Sequence, residues 1–284
     1  HRFHADGRGG RRLMSAYAER LRFGLSDSLV LARRNLSHIR QIPEKLIDVT
    51  VQPLMFVILF AYVFGGAIAI PGGGDYHEYL MAGIFIQTLT FGVMGPATSM
   101  ATDLGEGILD RFRSLPVARS AFLTGRVLAD FAAAMLGITV MSLAGLAVGW
   151  RIHTDVLHAV AGFGLLALVA FVMLWLGILL GTIARSPDAV TGIVFIVIFP
   201  LTFVANAFVP AGTLPGVLRT FANWNPVSSL VAATRTLFGN PTAVPADAAW
   251  PLQHPVVSAL LWCVGLLAIA VPLAIASYRR RTEV

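Results

Sequence analysis

The sequence predicts an all-α polytopic membrane protein with six transmembrane helices, and three observations predict it. Six apolar runs punctuate the chain, and each is long enough to cross, because roughly 20 residues at about 1.5 Å rise span a ~30 Å hydrocarbon core. Eighteen of the 21 Lys and Arg residues fall in one alternating set of gaps between those runs. Basic residues stay on the cytoplasmic side, so both termini are expected inside the cell (plasma) membrane. The composition of the 284 residues, 56% hydrophobic and 13% charged with mean hydropathy +0.75, leaves no room for a sizeable soluble domain.

Residues 1–25 read as a basic cytoplasmic tail without the apolar centre of a signal peptide, and residues 26–281 as one membrane domain. Leu25, Leu29, Ala32, Leu36 and Ile39 then follow helical spacing. They predict an N-terminal interfacial helix, with Ser26 or Ser28 as its cap and Pro43 at its end. The first span is expected over Ile47–Ile70 and the second over Tyr79–Thr102. Between the second and third spans, Asp103–Pro116 carries an apolar stripe of Leu104, Ile108, Phe112 and Leu115, with Glu106, Asp110 and Arg113 on the other face. Such a helix either docks into a groove on a soluble partner or lies against the membrane. Spans three to five are expected over Ala121–Trp150, Leu157–Ile183 and Val190–Val209.

Residues 210–253 then hold two short helical patterns, Leu214, Val217, Leu218, Phe221 and Val227, Leu230, Val231, Thr234, Phe238. Asn225-Pro226 reads as a helix start and Gly239 as a stop. Helices of about thirteen residues reach only ~20 Å, too short to cross, which predicts an external re-entrant hairpin with Arg235 snorkelling outward at a helix end. A role for Arg235 against an anionic substrate or lipid phosphate is the alternative. The sixth span is expected over Pro255–Ser277. Gly145 and Gly149, and Gly177 and Gly181, have the spacing of close helix packing.

Several function classes are disfavoured. Lys45, the only lysine, stands in Pro43-Glu44-Lys45-Leu46 and not in a phosphate-cradling loop, so no nucleotide site is expected in this chain. Intramembrane acids and bases are almost missing, unlike an ion-driven transporter. His77, His153 and His158 lie beside carboxylates without a metal-ligand spacing, and no hydrolase motif occurs, so neither a metal nor a catalytic residue is expected. The basic residues cluster at membrane ends, which favours anionic lipid over nucleic acid as partner.

Taken in order, Pro43-Glu44-Lys45-Leu46-Ile47-Asp48, Phe64-Gly65-Gly66-Ala67, Tyr79-Leu80-Met81-Ala82-Gly83-Ile84, Asp110-Arg111-Phe112-Arg113-Ser114-Leu115-Pro116, Phe199-Pro200-Leu201-Thr202-Phe203 and Asn225-Pro226-Val227 resemble the daunorubicin-resistance (DrrB-like) type of ABC-2 export permease. The resemblance covers about Ser26 to Arg281 and implies a bacterial permease subunit. It implies two such permeases, as homodimer or heterodimer, with two cytoplasmic ABC ATPase subunits that carry ATP and Mg. It makes 26–42 an elbow helix and 103–116 a coupling helix. Leu104, Ile108, Asp110, Arg111, Phe112 and Arg113 become the ATPase contact, and Phe221, Asn225 and Arg235 belong to an external gate.

Two spans carry mixed stripes: Gln87, Phe91, Met94 and Thr98 in the second, and Thr191, Phe195, Phe199, Thr202 and Asn206 in the fifth. Aromatic and thioether groups with isolated hydroxyls and amides suit a path for hydrophobic or amphipathic compounds, such as a drug, an antibiotic or a lipid. Ordinary helix packing is the alternative. Pro96 and Pro200 are expected to interrupt these two helices. At the level of the whole protein, an exporter permease is favoured over a non-transporting scaffold for an ATPase, with a passive channel third.

Overall fold

The computed structural model describes residues 43–64, 74–106, 119–208, 214–242, 244 and 248–282. The tail, the interfacial helix and Ile108, Asp110, Arg111, Phe112 and Arg113 lie outside the described residues. Among those described the chain is helical throughout, in the order α1 (Pro43–Phe64), α2 (Tyr76–Phe91), α3 (Met94–Gly105), α4 (Arg119–Ala147), α5 (Val156–Ile183), α6 (Pro187–Phe203), α7 (Gly216–Trp224), α8 (Pro226–Phe238), α9 (Trp250–Gln253) and α10 (Pro255–Thr282). Four stretches are long and apolar enough to cross a membrane: Tyr76–Gly105, Gly125–Ala147, Val156–Ile183 and Pro255–Tyr278. Two shorter apolar helices, Pro53–Val63 and Pro187–Phe203, accompany them. The protein is a multi-pass membrane protein.

Pro43 opens α1, where its missing N–H is one that no helix could satisfy, and the interfacial helix expected to end there lies outside the described residues. The second span is split. It turns at Gly92–Val93 and resumes as α3, because Pro96 has no N–H to give the carbonyl four residues back and its ring crowds that carbonyl. Helix α3 then runs on to Gly105. The expected coupling helix therefore does not begin at Asp103, since Asp103 and Leu104 form the last turn of the span. Helix α6 is not interrupted at Pro200 but ends three residues later, and 204–208 are turns instead of the last turn of the expected fifth span.

Helix α5 is the hub, packing against α2, α3, α4, α8 and α10. Its two glycines make the tightest of these contacts. A Cβ on Gly177 would lie 2.6 Å from the Val93 carbonyl oxygen, and one on Gly181 would overlap the Ala97 carbonyl, so the backbones of α3 and α5 touch as the small-residue spacing predicts. The pair in α4 behaves differently. Gly145 faces Met81 and Trp150, whereas Gly149 has open space around it and a φ of +105°, so it makes the turn after α4. The α2–α3 stretch is enclosed by the bundle, with 72% of its apolar window buried, while α10 has only 22% buried and faces outward.

The residues flanking α2, α4, α5 and α8 meet at one end, called here the hairpin end. Trp150 Nε1 donates to Asn240 Oδ1 at 2.8 Å, and Asn240 Nδ2 donates to the Arg151 carbonyl at 2.8 Å. His153 Nε2 lies 2.6 Å from Glu78 Oε1, and the His153 N–H donates to the Phe238 carbonyl. At the opposite end Met100, Val127, Ile178, Ala274 and Tyr278 form a cluster that joins α3, α4, α5 and α10.

Candidate functional site

Helix α8 starts and stops where the sequence predicts. Asn225 Oδ1 accepts from the Val227 N–H at 2.9 Å, Pro226 takes the first helical position, and Gly239 closes the helix in the left-handed region with φ +71°. The side chain of Asn225 has a second use. Its Nδ2 donates at 2.7 Å to the Leu201 carbonyl, one of the last-turn carbonyls of α6 that no intrahelical N–H can reach.

Arg235 departs from its expectation. It is fully buried, and its guanidinium points into the bundle. Nε donates to the Tyr79 carbonyl, Nη1 to the Asn206 carbonyl and Nη2 to the Ala207 carbonyl, each at 2.9 Å. The guanidinium carbon stands 3.4 Å from the centroid of the Tyr79 ring, a cation–π contact. The turn after α6 exposes carbonyls without helical donors, and the planar fork of an arginine satisfies several at once. Those bonds offset part of the cost of taking the charge out of water. The same turn accepts from the Tyr79 hydroxyl at Asn206 (3.0 Å) and from the Tyr76 hydroxyl at Phe208 (3.4 Å). It is also where α2 approaches so closely that a Cβ on Gly83 would overlap the Ala207 carbonyl. Arg235, Tyr79, Gly83 and the 205–208 turn form one joint that ties the hairpin to α2 and α6.

Of the three expected gate residues, Asn225 and Arg235 are therefore buried in joints. Phe221 is 47% exposed, with Val217, Leu218 and Trp224 also exposed on α7. The apolar stripe of α7 turns away from the bundle, and that of α8 turns in.

The two mixed stripes meet at one place. The Phe91 and Phe195 rings lie 6.4 Å apart, edge to face, and α3 packs on α6. Elsewhere they part company. Phe91 and Met94 pack against a cluster that includes Val190 and Val194, Gln87 and Thr202 are buried, and Asn206 belongs to the joint, 3% exposed. The hydroxyls of Thr98, Thr191 and Thr202 donate to carbonyls of their own helices at Met94, Pro187 and Ile198, so they offer no free proton to a ligand.

Aromatic rings continue where the polar groups do not. From Phe195 the ladder passes to Phe199 (6.5 Å), Phe203 (4.2 Å, stacked), Phe208 (6.2 Å), Phe60 (4.5 Å, stacked) and Phe56 (5.9 Å). Phe195, Phe199 and Phe203 are 52%, 43% and 48% exposed. Four of these rings, Phe56, Phe60, Phe203 and Phe208, escape a reading that looks for polar and aromatic residues mixed on one stripe. The signal that finds Phe56, Phe60 and Phe203 is plain i, i+4 spacing of phenylalanine in two different spans, whereas Phe208, in the turn after α6, lies outside that spacing.

Outside the membrane-spanning stretches, two carboxylates are held below their ordinary range. For Asp75, burial works to raise the value, but the N–H and ring of His77 lower it more; for Asp155 the His158 ring is the main cause. At the opposite end Arg126 pairs with Asp103 across α3 and α4. Among the described residues no group of three or more metal-ligating side chains comes together.

Comparison with known proteins places this architecture. The ABC-2 type transporter family matches residues 27–238. The daunorubicin resistance ABC transporter permease DrrB1 of Streptomyces coeruleorubidus is 30% identical over 90% of this chain and 87% of its own. The doxorubicin resistance ABC transporter permease DrrB of Mycobacterium tuberculosis is 26% identical over 79% and 80%. The probable doxorubicin resistance permease DrrC of the same organism is 23% identical over 91% and 90%. With the family match reaching from before α1 to the last residue of α8, the buried joint and the aromatic ladder both lie inside it, and the chain belongs to the ABC-2 type transporter family.

Proposed function

We propose that this chain is the membrane permease subunit of an ATP-driven ABC exporter, and that it moves hydrophobic or amphipathic compounds with planar aromatic character outward. The aromatic ladder from Phe195 to Phe56 carries the reading. Its exposed part, Phe195, Phe199 and Phe203, presents ring surfaces without fixed charge, which suits flat apolar molecules of varied substitution. Two relatives carry daunorubicin and doxorubicin resistance in their names, which supports a substrate of that general kind.

In this reading the chain crosses the membrane six times, with α1 and α6 joining the four longer spans. The hairpin end faces outward and the termini face the cytoplasm, as the basic residues favour. Two permease subunits sit on two ATPase subunits, which bind ATP and Mg and engage the connection between α3 and α4 through Leu104, Ile108, Asp110, Arg111, Phe112 and Arg113. The hairpin is the outer gate. Because Arg235 and Asn225 fasten it to α2 and α6, it moves with those helices and not as a free flap.

The test is reconstitution of the chain with its ATPase in liposomes and measurement of ATP-dependent movement of a fluorescent planar aromatic amine. Uphill transport that needs both components is the expected result. ATPase capture without transport would favour the scaffold, and flux without the ATPase would favour a channel.

A further inference from the structure

Helix α8 stands as a wedge between α5 and α10 at the hairpin end. On one side the Phe238 ring fills the space over Gly162 of α5, where an added Cβ would lie 2.5 Å from Cε1. On the other the Ser258 hydroxyl of α10 donates to the Ser229 hydroxyl of α8 at 3.1 Å. Toward the opposite end the wedge is gone, and Ile178 of α5 shares a cluster with Ala274 and Tyr278 of α10. Two helices that meet at one end and are held apart at the other leave a groove between them.

That groove has a volume of about 210 Å³. Gly164, Leu165 and Leu168 of α5 form one wall, Val256 and Leu260 of α10 the other, and Leu237 of α8 the floor. Leu165 and Leu237 are buried, whereas Ala161, Gly164 and Leu260 stand exposed along the rim. Among the described residues, none that lines the groove has a polar side chain. Both walls belong to long apolar stretches, so the mouth opens on hydrocarbon and not on water.

The lining selects the occupant. Water finds no partner there, and an empty groove forfeits the dispersion contacts of its walls. A planar aromatic compound finds no ring to stack on, in contrast to the Phe195–Phe203 face of α6. A second copy of this chain would bring a helix about 10–12 Å wide, which needs a groove that continues along the span, and this one closes where α5 and α10 meet. From Ala161 to Leu168 it runs for about 10 Å at 1.5 Å per residue, room for a stretch of one flexible aliphatic chain.

The polar groups next to the groove are already engaged. His158, one turn before Ala161 on α5, is bonded to Asp155, and His254, just before α10, packs its ring on Trp250 at 5.5 Å. This rim accompanies a headgroup and does not select one.

We propose that the groove between α5, α8 and α10 holds one acyl chain of a membrane phospholipid from the leaflet at the hairpin end, recognised by its aliphatic chain and not by its headgroup. Leu237 stands with Arg235 in the last turn of α8, so the lipid backs the buried joint from the membrane side. The proposal rests on this protein's being a multi-pass membrane protein and stands apart from ATP-driven export.

Native mass spectrometry of the full-length protein, released from nanodiscs made in turn with phosphatidylethanolamine, phosphatidylglycerol and phosphatidylcholine of the same oleoyl chains, counts the retained lipids. The parent should keep one lipid more than Gly164→Leu in all three, because a Cβ at Gly164 meets nothing within 4 Å and a leucine there fills the groove. Ala161→Phe should act like Gly164→Leu. Gly265→Leu, at another open glycine on α10 outside the groove, should keep the parent's count. An oleoyl lysophospholipid, which has a single chain, should raise the melting temperature of delipidated parent and Gly265→Leu and leave that of Gly164→Leu unmoved, a difference that a general loss of stability would not produce. A parent that retains no lipid overturns the proposal without any variant. Equal counts in the parent and both filled variants overturn it, as does retention that follows the headgroup and ignores Gly164. If Gly164→Leu instead separates a dimer into monomers and sheds no lipid, a second copy occupies the groove and the proposal fails.

Discussion

At Arg235 the protein takes a full charge out of solvent and surrounds it with carbonyl dipoles and one aromatic face. The arrangement is stable only while every donor has its acceptor, since a buried charge or carbonyl left unmet costs several kcal/mol. Arg235→Ala removes three hydrogen bonds at once, leaves the Ala207 carbonyl without its donor and opens a cavity. A loss of about 3 kcal/mol or more is expected, read as thermal or denaturant unfolding in detergent micelles. Arg235→Lys keeps the charge but replaces a planar fork with a tetrahedral ammonium on a shorter stem, whose three N–H groups do not reproduce the fork's directions, so most of the loss should persist. If Lys restores full stability, charge alone holds the joint. Gly83 tests the same place from the other side. Gly83→Ala pushes a methyl into the Ala207 carbonyl, and a backbone clash of this sort should cost about 1–3 kcal/mol even though Ala is the better helix former.

Between helices, the contact of α5 with α3 turns on two glycines, and a third glycine on α5 supplies the control. Gly181→Ala meets the Ala97 carbonyl and the Met100 Cβ, whereas Gly164→Ala meets nothing within 4 Å. The first should destabilise by about 1–3 kcal/mol, and the second should stabilise by up to about 1 kcal/mol through helix propensity. Opposite signs in one helix would show that packing, not propensity, decides at Gly181; two equal effects would remove that explanation. The Gly177 and Gly181 spacing was readable in the sequence, as were the start of α8 at Asn225-Pro226 and its stop at Gly239, because these signals act over four residues or fewer. The destination of Arg235 was not readable. Its acceptors lie at positions 79, 206 and 207, and nothing local to position 235 says that carbonyls elsewhere lack donors. The interruption of the second span was legible in Pro96, which acts on the carbonyl four residues before it and so breaks the helix at Gly92. The candidate path was half legible: its Phe195 and Phe199 were found, but attention to hydroxyls and amides concealed Phe203, Phe208, Phe60 and Phe56, and favoured threonines whose protons are spent on their own helices.

Across the molecule, the most enclosed helices are not the ones that carry the exposed rings. The α2–α3 stretch and α8 are deeply buried, while α1 and α6 present large apolar side chains outward, among them Met55, Tyr62, Phe195, Ile196 and Phe199. Exposed apolar residues on a membrane protein meet lipid by default, so exposure by itself does not make the α6 face a substrate path. The stacked pair Phe199 and Phe203 is where the two can be told apart by experiment, because lipid contact requires only apolar area, whereas a flat ligand gains from ring faces. Phe199→Ala and Phe203→Ala remove the 4.2 Å stacked pair from an exposed surface, so unfolding stability should change little. With each aromatic contact worth about 0.5–1.5 kcal/mol, each variant should need roughly 2–10-fold more planar substrate for half-maximal stimulation of the partner ATPase. Phe199→Leu, which keeps apolar area but loses the ring, discriminates between the explanations. It should behave like Ala if the ladder stacks its cargo and like the parent protein if the face only wets lipid. Equal stimulation curves for the parent protein, Phe199→Leu and Phe199→Ala would remove the ladder from the transport path and leave α6 as a lipid-facing helix.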